Sequence, residues 1–61
     1  MKTMYDVRQL LKRYGTIIYT RDREFDLSLM EEEFRELHKW KMIEDNTFRQ
    51  GLLIIRNEMR K

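Results

Sequence analysis

The sequence predicts an all-α fold, a three-helix bundle with a long central helix. Apolar residues recur at three-and-four spacing in three separate segments, and capping residues or glycine stand between them. No segment pairs with another in the period-two alternation that strands show. Three amphipathic segments joined by short connections bury their apolar faces by packing helix on helix.

The first helix, about residues 4–14, opens at Thr3, which is followed three residues later by Asp6 as a loose capping box. The acid also suits the positive end of the helix dipole. Met4, Val7, Leu10, Leu11 and Tyr14 share one face, and Gly15 follows them, where a left-handed residue ends a helix without steric cost. Thr16 to Thr20 is β-branched but has no partner strand, so Thr16 to Arg21 is expected as an extended connection laying Ile17 or Ile18 over the core.

The central helix, about 22–42, is the spine, a continuous reading from Asp22 to Ile43 with Thr20 or Asp22 as its N-cap. Leu27, Met30, Phe34, Leu37 and Lys41 form one stripe, with Trp40 beside it; Glu24, Ser28, Glu31, Glu32, Arg35, Glu36 and Lys39 face water. Asp26 falls near the inward face, which calls for a hydrogen bond or ion pair with the connection, through Arg21 or Arg23. The third helix, about 45–60, has Glu44 or Asp45 as its cap, with Ile43 and Phe48 as a hydrophobic staple. Phe48, Leu52, Ile55 and Met59 make its core stripe, and Gly51 beside them points to close approach of a neighbouring helix.

Sixty-one residues allow one domain, and a chain of that size buries only about 60% of the surface it exposes when unfolded. Self-association or a partner would add to so thin a margin. Absence of cysteine excludes disulfides, thiolate metal sites and a cysteine nucleophile. No apolar run reaches the roughly eighteen residues of a membrane span, and the N-terminus lacks a signal-peptide core; the reading is a soluble cytoplasmic protein without a membrane partner.

The net charge of +2 is unevenly spread: Met1 to Gly15 carries +3, Thr16 to Ile43 carries −2, and Glu44 to Lys61 carries +1. On the first helix Tyr5, Arg8 and Lys12 stack along one side, with Gln9 and Arg13 adjacent; Tyr19 is flanked by Arg21 and Arg23; Arg49, Arg56 and Arg60 line the third helix near Asn57. Cations neutralise phosphates and tyrosines offer flat faces to unstacked bases, a combination suited to single-stranded rather than duplex nucleic acid. A DNA-binding helix-turn-helix fits poorly, because its tight turn could lie only near Ile43, after a helix too long for the purpose.

Leu53 points away from the stripe of its helix and Ile54 lies to one flank, which makes these two the candidate interface of a homo-oligomer. Glu31, Glu32, Glu33 and Glu36 do not converge on an ion, since successive helical residues diverge by about 100°. Instead Glu31 pairs with Arg35, and Glu36 with Lys39. His38 is the single histidine, with no second ligand or nucleophile beside it, and is read as structural or solvated. With no phosphate loop, zinc motif or nucleophile elbow, and little room for a cleft of several hundred Å3, neither enzyme activity, a cofactor, a metal nor a small-molecule substrate is expected.

Tyr5-Asp6-Val7, Gln9-Leu10-Leu11-Lys12, Tyr14-Gly15-Thr16, Ile18-Tyr19-Thr20, Asp22-Arg23, Leu29-Met30-Glu31 and Arg35-Glu36-Leu37 occur in an order and spacing that resemble the YqgQ-like family of small bacterial proteins. They run from the first helix through the long one; the third segment fits more loosely. The resemblance implies a three-helix fold and a bacterial cytoplasmic setting. The family looks uncharacterised, with single-stranded nucleic-acid binding as its suggested role, and it offers no catalytic motif to transfer. The combined expectation is a non-enzymatic module that contacts single-stranded RNA or DNA through Arg8, Lys12, Arg13, Tyr19, Arg21 and Arg23. The rival is a protein-interaction or homo-oligomeric module using Leu53 and Ile54.

Overall fold

Each apolar stripe becomes one helix. The computed structural model describes residues 1–61 and contains α1 (Met4–Arg13), α2 (Arg23–Lys39) and α3 (Asp45–Met59), with no strand. Thr3 and Asp6 form a full capping box at α1, the Asp6 carboxylate accepting from the backbone N–H groups of Lys2 and Thr3. Asp22 caps α2 by accepting from the Phe25 N–H at 3.2 Å. Glu44 is the N-cap residue of α3 and makes no side-chain cap bond, while Asp45, the better capping residue by type, is the first helical residue and turns its carboxylate to His38.

Two helix ends share one device. At α1 the Gly15 N–H donates to Lys12 O and the Thr16 N–H to Leu11 O; at α2 the Lys41 N–H donates to His38 O and the Met42 N–H to Leu37 O. Both are Schellman turns, which need a left-handed residue just past the helix. Gly15 supplies φ +81°, and Lys41 supplies φ +58° despite its side chain. This corrects the long helix: it stops at Lys39, short of 42, and Lys41 leaves the buried stripe for the turn. Without glycine at that stop, the sequence carried no mark of it.

The core holds Val7 and Leu11 of α1, Leu27, Met30, Phe34 and Leu37 of α2, Ile43 from the following turn, and Ile55 of α3. Met1, Met4, Leu10, Ile18, Phe48 and Ile54 pack against it. Of the two isoleucines in the connection Ile18 turns inward, while Ile17 stands 78% exposed. Tyr14 and Met59, expected in the core, are exposed at its margin. Tyr14 instead bridges elements, its hydroxyl donating to the Met42 carbonyl at 2.9 Å.

The long helix is not the sole spine. α3 packs most closely on α2 and also holds α1 more extensively than α2 does. Gly51 explains the closeness of α2 and α3, because a Cβ there would stand 2.6 Å from Cζ of Phe34. Where α1 and α2 meet least, residues 16–22 cross the gap, and the candidate site lies along this side.

Candidate nucleic-acid interface

The connection is held in place by the one buried acid. Asp26, in the first turn of α2, accepts from both the backbone N–H (2.9 Å) and the hydroxyl (2.6 Å) of Thr20. The connection was the expected partner, but the donor is Thr20 rather than Arg21 or Arg23. Thr20 is also an acceptor, its hydroxyl oxygen taking the Asp22 N–H at 3.3 Å. Between them Arg21 adopts φ +71°, a left-handed conformation that folds Thr20 back onto Asp26. The turn leaves the side chains of Tyr19 and Arg21 exposed.

Arg8, Tyr19, Arg21 and Arg23 line one open cleft of about 460 Å3, together with Met4, Asp26, Leu27 and Glu58. Arg8 also borders a second hollow of about 190 Å3, shared with Gln9, Leu11, Lys12, Thr16, Ile17, Ile18 and Met30. The two hollows share Arg8, with Lys12 bordering the one and Tyr19 and Arg21 the other. Tyr19 is 73% exposed. Arg13 lines neither hollow. The expectation of little room for a cleft of this size is corrected: long charged side chains standing off a small helical body enclose open space between them.

Two carboxylates temper the positive charge. Asp26 is satisfied by Thr20, whereas Glu58, from the last turn of α3, forms an ion pair with Arg23 and a second one with Lys61 at 3.3 Å. Arg23 is therefore not a free cation like its neighbours. No spacing in the sequence links residues 23 and 58, which only the packing of α2 against α3 brings together. The bases of α3 stand apart from these hollows. Arg56 approaches Glu31 at 3.8 Å, on the carboxylate that also pairs with Arg35 at 3.0 Å, and Arg49 and Arg60 line neither hollow.

Elsewhere the polar side chains serve the fold. Glu36 accepts from the Trp40 indole N–H at 3.0 Å, while Lys39 lies over the Trp40 ring, 5.5 Å from its centroid. The i,i+4 spacing would have found the first of these, in place of the expected Glu36–Lys39 pair. His38 stacks on Phe48 with centroids 4.1 Å apart, and its Nε2 lies 2.6 Å from Asp45 Oδ1. The hydrogen bond and positive charge of His38 hold the Asp45 carboxyl below its ordinary value, with Arg49 adding to the effect. Leu53 is 61% exposed on α3, and Ile54 is half-buried against the core. No helix is long and apolar enough to cross a membrane.

The fold and this side define a small three-helix protein with an arginine- and tyrosine-bearing cleft lined by α1, the following connection, the start of α2 and the end of α3. The YqgQ-like family model matches residues 1–61, and the chain belongs to that family. It is 41% identical over 59 residues to the uncharacterized protein YqgQ of Bacillus subtilis (strain 168), a match covering 97% of this chain and 83% of the relative.

Proposed function

We propose that this protein is a non-enzymatic binding module that takes single-stranded RNA or DNA across the side formed by α1 and residues 16–22. One observation carries the reading: Arg8, Tyr19 and Arg21, from two different elements, border the same open cleft, and Lys12 borders the hollow that shares Arg8 with it. Guanidinium groups neutralise the strand's phosphates, and the exposed Tyr19 ring gives an unpaired base a face on which to stack. Duplex is disfavoured because its stacked bases would leave the exposed Tyr19 ring without a partner. The reading goes with a cytoplasmic setting, where single strands occur.

The test is a fluorescence-anisotropy titration with a labelled oligonucleotide. Affinity is expected to fall roughly 20-fold between 50 and 200 mM salt if three phosphates are neutralised. Arg8→Glu combined with Lys12→Glu should weaken binding at least about tenfold. Salt-independent affinity, or binding that survives the double substitution, overturns the proposal.

A second reading rests on Leu53, a large apolar side chain left exposed on α3. It makes the chain a homo-oligomeric or protein-interaction module, with the half-buried Ile54 at the edge of the contact. Sedimentation at micromolar concentration decides this one: a monomer whose behaviour is unchanged by Leu53→Glu removes it.

A further inference from the structure

The Arg23–Glu58 pair joins the start of α2 to the end of α3 at the border of the candidate cleft. Both side chains border the cleft that holds Arg8, Tyr19 and Arg21, and the Arg23 side chain remains 64% exposed. A guanidinium binds a carboxylate and a phosphate through the same donors. We infer that Glu58 acts as an internal competitor: its carboxylate occupies the position at Arg23 that a phosphodiester of a bound single strand would take, so that Glu58 limits affinity. This inference rests on the single-strand reading of the cleft. The Arg23 end of the pair is open to solvent and screened by salt, so a strand that reaches the cleft can compete with the half-buried Glu58 carboxylate for that guanidinium. Lys61, the other partner of Glu58, remains available to receive the displaced group.

The experiment measures a labelled oligothymidylate and a labelled oligouridylate by anisotropy, at several salt concentrations, on the wild-type chain and on Glu58→Gln, Arg23→Gln and the double variant, each checked by thermal melt. Glu58→Gln is expected to bind about three- to tenfold tighter, with the salt slope steeper by about 0.7 as one more phosphate is neutralised. Arg23→Gln alone should change affinity less than about twofold, because a phosphate gains at Arg23 only what displacing Glu58 costs, and the freed carboxylate stays paired with Lys61. In the double variant the gain should vanish. If the wild type binds and Glu58→Gln binds no tighter, or the gain persists without Arg23, the competitor role is overturned while the single-strand reading stands. If neither wild type nor Glu58→Gln binds, both fall. On the unaltered protein, saturation with oligonucleotide should shift the Arg23 side-chain NMR resonance; an unmoved resonance in a saturated complex also overturns the inference, without relying on any variant's fold.

Discussion

The ring of Phe34 fills the space where a side chain at residue 51 would stand. A Cβ on Gly51 would lie 2.6 Å from Cζ and 2.8 Å from Cδ2 of that ring, and Phe34 is fully buried. Gly51 thus accepts the cost of a helical glycine so that α2 and α3 can approach.

Gly51→Ala should therefore destabilise. Alanine raises helix propensity by up to about 1 kcal/mol, but forcing a methyl group into a filled core costs about 1–3 kcal/mol. The net effect should be a fall in Tm on the order of 10 °C, read by circular dichroism. A Tm at or above the wild-type value would show that the two helices are not in this register.

The paired Schellman turns predict substitutions of opposite sign. Gly15 has φ +81° with open space around it, so Gly15→Ala should cost about 1 kcal/mol from the backbone alone. Lys41 has φ +58° and an exposed side chain, so Lys41→Gly should gain up to about 1 kcal/mol by removing the left-handed penalty. Denaturant melts of both variants check the contrast. Equal signs would place the end of α2 elsewhere.

The contact between Asp26 and Thr20 links stability to the candidate site. Asp26→Ala removes the acceptor of two hydrogen bonds and should cost about 2 kcal/mol. Asp26→Asn retains an oxygen acceptor and should cost less. Hydrogen exchange provides the local test: the Thr20 amide should lose protection in the alanine variant before the α3 amides do.

Acid sensitivity should come in part from two exposed carboxyls. Asp6 is held below its ordinary value chiefly by the backbone N–H groups of Lys2 and Thr3, and Asp45 chiefly by the hydrogen bond from His38. A folded-state value lower than the unfolded one gives a contribution that is fully present above the unfolded value of 3.8 and is lost as the pH falls through the folded value. Stability should thus decline as the pH drops below about 4. His38→Phe keeps a ring against Phe48 but removes the bond and the charge, and the Asp45 carboxyl resonance should then titrate at a higher pH. An unchanged titration would assign the shift to another group.

Much of the fold was legible because helical spacing is a local property. Thr3 with Asp6, Gly15 after Tyr14, and the stripe Leu27, Met30, Phe34, Leu37 each mark a helix through residues a few positions apart. Gly51 could be read as a close approach, though not as an approach to Phe34. The end of α2 was hidden because a lysine holds the left-handed position that glycine usually takes. Tyr14 was misplaced because the pattern gives the side of a helix but not how far the neighbouring elements cover its end.

For the candidate site, the sequence supplied the residue types and their order along each segment: cations on α1, and a tyrosine between arginines in the connection. Only tertiary structure decided that Arg8 meets Tyr19 and Arg21 at one cleft, that Arg13 and the α3 arginines stand apart from it, and that Glu58 comes in from the other end of the chain to claim Arg23. The physical reason is reach. Spacing along a helix governs neighbours within about one turn, whereas a charge at residue 58 reaches residue 23 only after the hydrophobic faces of α2 and α3 have closed on each other.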